Sequence, residues 1–220
     1  MALAMFDLDN TLLGGDSDYL WGMYLCECGV LDSATYARAN AQFYADYQAG
    51  TLDINAFLQF ALAPLAAHTD AELEAWRAGF MREKIAPILQ PAAHQLLAKH
   101  RAQGDTLLIV TATNRFITAP IAEAFGVEHL IATELERANG RFTGAICGEP
   151  TFRDGKVTHL MRWLEAHAAT LEGSYFYSDS INDQPLLDTV TYPVAVDPDE
   201  QLAALARERH WPIISLRAAS

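Results

Sequence analysis

The stretch from Asp105 to Thr113 constrains the fold most, because its nine residues, DTLLIVTAT, form a nearly continuous apolar run. Strands with one solvated face alternate apolar and polar residues, whereas strands of a parallel sheet that is covered on both faces are apolar throughout. A helical pattern from Ala92 to Gln103, ended by Gly104, precedes the run. The stretch therefore predicts an inner strand of a parallel sheet within an α/β fold.

The same alternation of helix and strand continues toward the C-terminus. Asn114 or Thr113 is predicted to cap a helix that continues to Phe125, and Lys156 is predicted to open another. Further strands are predicted over 129–135, 174–178, 192–196 and 212–216, with an Asn139-Gly140 turn between two short strands. This order predicts a doubly wound, mainly parallel sheet with right-handed crossovers. Ligands of such folds bind at the carboxyl ends of the strands.

Residues 15–87 have a different pattern from the rest of the chain. Apolar residues recur at helical spacing over 18–28, 33–50, 53–66 and 69–85, and no strand pattern interrupts them. A helical block of this length between two strands predicts an inserted, all-helical cap domain over 15–87, and the core domain then comprises 1–14 and 88–220. Gly14-Gly15 and the segment around Pro87 are the expected hinges.

The first predicted strand ends in two aspartates, Asp7 and Asp9. The period of two in a strand directs both carboxylates to the same side, so they need a cation, and oxygen ligands suit Mg²⁺. The alternative is an ordinary surface turn, since Asp and Asn are common turn formers. A calcium loop of the EF-hand type is excluded because it needs Gly where Leu12 stands.

Composition excludes several classes of partner. The chain has 15 basic and 28 acidic residues, a formal charge of -13, which disfavours nucleic acids and anionic membranes. Its three cysteines, Cys26, Cys28 and Cys147, fit neither a zinc knuckle nor a disulfide framework. No basic leader precedes Asp7, and no apolar run approaches the ~18 residues of a spanning helix. We therefore expect a cytoplasmic protein.

Other predicted strand ends and helix starts carry polar groups that phosphoryl transfer requires. Asp7 is the candidate nucleophile, and Asp9 is the candidate acid and base. Thr111 and the backbone N–H groups from Ala112 to Asn114 are suited to binding a phosphate. Taken singly, each of these residues has an ordinary structural explanation, but their joint occurrence at the strand ends favours a site.

Three later positions complete this predicted site. Lys156 would neutralise charge shared by the nucleophile and the phosphate. Asp179 would join Asp7 and Asp9 at the metal. Asp183 and Asn182 would orient the lysine, the metal waters or the phosphate.

These motifs together resemble those of the haloacid dehalogenase superfamily. The resemblance rests on FDLDNTL at 6–12, Thr111, Lys156 and DSIND at 179–183, and the helical insertion with NGRFTG at 139–144 is most similar to the phosphoserine-phosphatase branch. It implies a Rossmann-like core, Mg²⁺ and an aspartyl-phosphate intermediate. It also implies that the metal is held by the Asp7 carboxylate, the Asp9 carbonyl and Asp179. An acid at position 9 favours phosphatases over dehalogenases.

The expected substrate is a small phosphorylated metabolite. Asp16, Asp18 and Trp21 place acids and an aromatic ring at the entrance of the predicted cap, which suits an amine-bearing phosphomonoester such as histidinol phosphate. No arginine occupies the cap position at which phosphoserine phosphatases bind the substrate carboxylate. Phosphoserine hydrolysis and phosphoryl transfer to an alcohol remain alternatives within the enzyme class. A phosphorylated receiver-like domain without turnover is the alternative outside it.

Overall fold

A six-stranded parallel sheet forms the centre of the protein, for which a computed structural model describes residues 2–217. The strands are β1 (Leu3–Phe6), β2 (Thr106–Asn114), β3 (His129–Thr133), β4 (Leu135–Ala138), β5 (Arg141–Ile146), β6 (Tyr175–Ser178), β7 (Tyr192–Val196) and β8 (Ile213–Ile214). The order in the large sheet is β3-β2-β1-β6-β7-β8, and β4 pairs with β5 in a separate antiparallel hairpin. The predicted α/β class with a mainly parallel sheet is confirmed.

Helices cover the sheet and also fill the segment between β1 and β2. They are α1 (Ser17–Glu27), α2 (Ser33–Gln48), α3 (Ile54–Ala67), α4 (Asp70–Phe80), α5 (Pro91–Ala102), α6 (Arg115–Ala124), α7 (Asp154–His167), α8 (Gln184–Leu187) and α9 (Glu200–Glu208). Among residues 2–217, no helix is both long enough and apolar enough to span a membrane.

Both faces of the sheet are buried, as the apolar run in β2 predicts. Phe6 and Ile109 pack into one apolar cluster, and Met5 and Leu108 pack into a second one. Side chains alternate between the two faces because successive residues of a strand point in opposite directions. Helices on both faces therefore leave the carboxyl edge of the sheet as the place where side chains can meet a ligand.

The segment predicted as a helical cap contains α1 to α4 and no strand. Side chains of Asp16, Asp32, Asp53 and Thr69 accept hydrogen bonds from backbone N–H groups and so cap the first turn of each helix. The helix predicted over 69–85 consists of α4 to Phe80 and a wider, π-helical continuation over Met81–Ile85, so the structure agrees with its predicted end.

The two ends of this segment meet at the sheet. Leu13 forms an isolated antiparallel bridge with Leu89, and Gly14 N donates to Ile88 O at 2.8 Å. Trp21 and Leu62 of the helical segment share one apolar cluster with strand residues, so the packing is continuous between the two regions. The division into a core domain and a cap domain therefore stays a prediction.

Candidate active site

A tight loop over Leu8–Leu12 delivers the acidic residues. Asp7 N donates to Tyr177 O at 2.9 Å, which extends β1, and Leu13 N donates to Leu8 O at 3.0 Å, which closes the loop. Asn10 has a φ of 58°, in the left-handed region that asparagine tolerates better than most residues. This turn places Asp7 and Asp9 at the carboxyl end of β1, where the sequence predicted them.

Lys156 lies buried between two carboxylates, with a side chain that is 3% exposed. Its Nζ donates to Asp7 Oδ1 at 2.7 Å and to Asp183 Oδ2 at 2.8 Å. Burial opposes its charge, but the charges of Asp183 and Asp7 outweigh that effect and raise the pKa of Lys156 above its ordinary value. Burial raises the pKa of Asp183 to about 6, although the lysine lowers it in part. The site thus holds an ammonium beside the predicted nucleophile.

The hydroxyl of Thr11 joins Asp7 to Asp179. It donates to Asp179 Oδ1 at 2.8 Å, lies 3.2 Å from Asp7 Oδ2, and accepts from Asp179 N at 3.0 Å. Burial and then the charge of Asp7 raise the pKa of Asp179 well above its ordinary value. Two buried carboxylates therefore face one small volume, and Lys156 contacts only one of them.

This donor set fits a hard divalent cation. No group of three or more His, Cys, Asp or Glu side chains within residues 2–217 is placed to hold a metal, so main-chain oxygen would have to complete the set. The carboxylates of Asp7 and Asp179, which both contact Thr11, and the expected backbone carbonyl of Asp9 would all be oxygen ligands. Mg²⁺ prefers oxygen ligands. The residues present therefore fit the ion that the sequence resemblance implies.

The carboxylate of Asp9 is held at both oxygens. Oδ1 accepts from Ser17 N at 2.6 Å, and Oδ2 accepts from Thr113 Oγ1 at 2.8 Å. Thr111 Oγ1 lies at 3.5 Å from the same Oδ2. Burial raises the pKa of Asp9, and the hydrogen bonds from Ser17 and Thr113 oppose that rise. The candidate acid and base is therefore half-buried and held in one orientation.

A cavity opens above these groups, between the sheet edge and helices α1 and α2. Its lining comprises Asp7, Asp9, Asp16, Asp18, Tyr19, Asn40, Phe43, Tyr44, Tyr47, Leu52, Ile54, Phe57, Thr111, Ala112, Thr113, Phe152, Lys156 and Asp183. Burial and the charge of Asp9 raise the pKa of Asp18 to about 7, and the same two causes raise that of Asp16 well above its usual range. Within the described chain, Lys156 is the only Lys, Arg or His in this lining.

Some predicted site residues lie outside the cavity. Trp21 is 1% exposed and packs edge-on against Phe80 and Phe116 in the core, so its indole is not available to a substrate. Asn114 caps α6 by accepting from Ile117 N at 3.3 Å. Trp21 is a correction, because the apolar core buries its ring. The Asn114 side chain caps the helix as predicted, and the phosphate contact of its backbone N–H stays a prediction.

Asn182 also has protein partners. Its Nδ2 donates to Tyr47 O at 3.1 Å and to Ser180 Oγ at 3.2 Å, and its Oδ1 accepts from Arg153 Nε at 3.0 Å. Arg153 in turn donates to Gly50 O. Asn182 therefore ties the loop after β6 to the C-terminal end of α2, and its predicted contact with phosphate stays a prediction.

Sequence reasoning assigned no side-chain role in the site to Thr11, Thr113 or Tyr47, which all lie at it. Thr113 could have been found, because it lies two residues after Thr111 and period-two geometry points both side chains the same way. Tyr47 carried no such signal, since its ring reaches the cavity only through the packing of α2.

The raised pKa of Asp18 leads to a pH-dependent prediction for stability. Its folded-state pKa of about 7 exceeds the ordinary value of 3.8, so the stabilisation it brings is complete below pH 3.8 and is lost as pH rises through 7. Asp9, Asp16 and Tyr36 are the titratable groups whose charges couple to it. We expect Asp18→Asn to flatten the fall in melting temperature between about pH 4 and pH 7.

Thermal unfolding at several pH values measures this effect. Asp32→Asn is the matched control, because Asp32 caps α2 at the surface and a hydrogen bond from Thr35 lowers its pKa. In that variant, the melting temperature should differ from its wild-type pH dependence only at acidic pH. Parallel profiles for Asp18→Asn and the wild type would contradict the prediction.

The parallel sheet and its edge define the class: Rossmann-like α/β enzymes with an acidic centre at the carboxyl ends of the strands. The family model of haloacid dehalogenase-like hydrolases matches residues 4–188. The chain belongs to the haloacid dehalogenase-like hydrolase family.

Similar proteins support this assignment. A histidinol-phosphatase from Neisseria meningitidis serogroup C is 45% identical over 98% of this chain and 99% of its own length. A phosphoserine phosphatase from Mycobacterium tuberculosis is 34% identical over 99% of this chain and 72% of its own length. The predicted enzyme class, a phosphatase, is confirmed, and it prevails over the receiver-like alternative.

Solved structures share the architecture. A protein of unknown function from Bordetella pertussis Tohama I is 47% identical and has a TM-score of 0.92, with 98% of this chain and 99% of that chain covered. A substrate-bound phosphoserine phosphatase has a TM-score of 0.72 at 17% identity, with coverage of 98% and 93%. The second likeness concerns the fold alone.

Proposed function

We propose that this phosphatase is a Mg²⁺-dependent phosphomonoesterase that hydrolyses a small, amine-bearing phosphorylated metabolite through an aspartyl-phosphate intermediate. One observation carries the proposal. Lys156 joins Asp7 and Asp183 in a buried ion cluster at the floor of a cavity whose wall carries two further acids. The floor suits a phosphoryl group and the wall suits a cation.

The two acids that follow β1 would perform the chemistry. A carboxylate oxygen of Asp7 attacks phosphorus, the bond from phosphorus to the ester oxygen breaks, and Asp9 donates its proton to the departing oxygen. Water then attacks the phosphorus, Asp9 accepts a proton from the water, and the bond between Asp7 and phosphorus breaks. The products are the alcohol and inorganic phosphate.

Neighbouring residues would bind and stabilise the phosphoryl group. Lys156 neutralises charge that builds up between Asp7 and phosphorus, and its bond to Asp183 orients it. The Thr111 hydroxyl and the backbone around Ala112 lie at the cavity and can donate to phosphoryl oxygens. Asn182 would contribute through its position beside Asp183.

Asp7, Asp179 and the Asp9 carbonyl would hold the metal. When bound, Mg²⁺ supplies positive charge that lets the phosphate dianion approach the Asp7 carboxylate. Thr11 supports this arrangement because it holds the two carboxylates beside one another.

The wall of the cavity supports an amine-bearing substrate. Asp16 and Asp18 have no cationic partner among the described lining residues, and the aromatic rings of Tyr19, Phe43 and Tyr44 line the same cavity. A bound ammonium or imidazolium would favour the ionised forms of both acids despite their raised pKa values, and carboxylates beside aromatic faces attract such groups. The name of the histidinol-phosphatase from Neisseria meningitidis agrees with this substrate class.

Phosphoserine fits less well, although the relative from Mycobacterium tuberculosis is named for it. Its carboxylate would need a cation in the cavity. Lys156 is the only candidate in the described lining, and it is already bonded to two carboxylates. A substrate that carries an amine and no carboxylate is therefore favoured.

Residues 15–87 would act as the cap that closes over this substrate. Helices α1 and α2 provide much of the cavity wall, while the bridge between Leu13 and Leu89 brings both ends of the segment to one point. Motion about that point would admit the substrate and release the products.

The test is a panel of metabolite phosphates, assayed with Mg²⁺ and with a chelator. We expect histidinol phosphate to be hydrolysed faster than phosphoethanolamine and phosphoserine. Chelation should lower turnover at least about 100-fold, because two carboxylates would then repel the phosphate. Added Mg²⁺ should restore activity. Undiminished activity in the chelated, metal-free protein would overturn the metal requirement.

Asp18→Asn tests the substrate class directly. We expect its KM for histidinol phosphate to rise about 10-fold, while kinetics with p-nitrophenyl phosphate stay within about 2-fold, because one ion pair with the amine is lost. Equal changes for both substrates would contradict the proposed amine site.

A separate product analysis tests the phosphotransferase alternative. Release of inorganic phosphate as sole product in the presence of added alcohols would exclude it.

A further inference from the structure

Thr113 lies at the carboxyl end of β2 and lines the cavity, with 7% of its surface exposed. Its Oγ1 donates to Asp9 Oδ2 at 2.8 Å, a short and well-formed hydrogen bond. Thr111, the residue singled out from the sequence, lies at 3.5 Å from the same oxygen. Thr113 is therefore the side chain that contacts Asp9 most closely.

The remaining contacts of Asp9 show that the orientation of its carboxylate depends on this hydrogen bond. Its other oxygen accepts from Ser17 N at 2.6 Å, so the carboxylate is held between β2 and the first residue of α1. Thr113 N donates to Thr111 Oγ1 at 3.2 Å, which fixes both threonines relative to one another. Without the Thr113 hydroxyl, Oδ2 would keep only the long contact with Thr111, and the carboxylate could rotate.

We propose that Thr113 is the positioning residue that orients the Asp9 carboxylate toward the ester oxygen of the substrate. This inference rests on the proposed function, in which Asp9 protonates the leaving group. Proton transfer needs hydrogen-bond distance, and displacement by about 1 Å can cost about 100-fold in rate. The Thr113 side chain touches neither phosphate nor metal in this scheme and acts through Asp9.

The dependence of rate on the leaving group separates this role from a merely structural one. p-Nitrophenolate leaves readily without a proton, whereas an alkoxide does not. The measurement is kcat/KM, which reports the steps up to phosphoryl transfer, for p-nitrophenyl phosphate and for phosphoethanolamine. In Thr113→Val we expect about a 30-fold loss with the alkyl ester and less than about a 3-fold loss with the aryl ester.

Two further variants complete the design. Thr113→Ser keeps the hydroxyl and should restore kcat/KM for the alkyl ester to within about 3-fold of the wild type. Thr133→Val is the matched control, because Thr133 is also a buried threonine, whose Oγ1 donates to Ala112 O at 2.7 Å and does not touch Asp9. Any loss in that control should be the same for both esters.

Several results would overturn the inference. Equal losses with both esters in Thr113→Val, or no loss with either, would show that the hydroxyl does not act through proton donation. Failure of serine to restore the alkyl rate would show the same. If Thr113→Val does not fold, Thr113→Ala takes its place and the same ratio of losses decides. Full activity of Asp7→Asn would instead refute the proposed function itself, so the two failures are distinguishable.

Discussion

Asp7→Asn is expected to reduce hydrolysis of p-nitrophenyl phosphate at least about 1,000-fold, because an amide cannot form the acyl phosphate. The side chain is nearly the same size, and Lys156 keeps its contact with Asp183, so the fold should persist. Steady-state kinetics measure the loss, and thermal unfolding checks the fold. Incubation with substrate followed by intact mass measurement should show no phosphorylated protein.

The matched control is Asp105→Asn. Asp105 also has a buried partner, since its Oδ2 lies 2.9 Å from His100 Nδ1, but it precedes β2 and so lies at the amino end of the sheet, away from the cavity. This variant should keep activity within about 3-fold of the wild type. Full activity in Asp7→Asn would refute the aspartyl-phosphate mechanism.

Lys156→Met is expected to lower both stability and activity. It leaves Asp7 and Asp183 buried without their cation, and removal of one partner of a buried ion pair costs about 3–5 kcal/mol. Activity should fall about 100-fold or more, because charge on the transferring phosphoryl group loses its neutralising ammonium. Denaturant unfolding and kcat/KM measure the two effects.

A double variant separates these effects. The double variant Lys156→Met/Asp183→Asn removes one of the two buried carboxylates that lose their cation. Relative to Lys156→Met, it should recover part of the free energy of unfolding without recovering activity. Lys84→Met is the surface control, since Lys84 pairs with Glu27 at 2.6 Å where the Glu27 side chain is 55% exposed. That pair should contribute less than about 1 kcal/mol. Equal destabilisation by Lys156→Met and Lys84→Met would contradict the buried ion cluster.

Much of the fold followed from local pattern. The strand predicted over 192–196 has the observed bounds, Tyr192–Val196, and Asn114 caps α6 as the sequence indicated. The turn at Asn139-Gly140 was also correct, since both residues adopt positive φ in the hairpin. Such features depend on hydrophobic periodicity, capping side chains and turn residues, which act over a few positions.

The core of the candidate site was predicted because its residues end strands or open helices. Lys156 and Asp7 are 149 positions apart, yet parallel topology brings their elements to one edge. Trp21 shows the limit of this reasoning. A tryptophan near a predicted cavity was read as a substrate contact, whereas packing against Phe80 and Phe116 buries it.

The sequence by itself determined the parallel α/β class, the acids after β1 and their family. Tertiary structure alone decided which hydroxyl meets which carboxylate: Thr11 joins Asp7 to Asp179, and Thr113 holds Asp9. It also decided that Asp16 and Asp18 share a cavity whose described lining has no free cation. The reason is physical, because periodicity and caps are local, whereas hydrogen-bond partners and burial depend on distances between elements far apart in the chain.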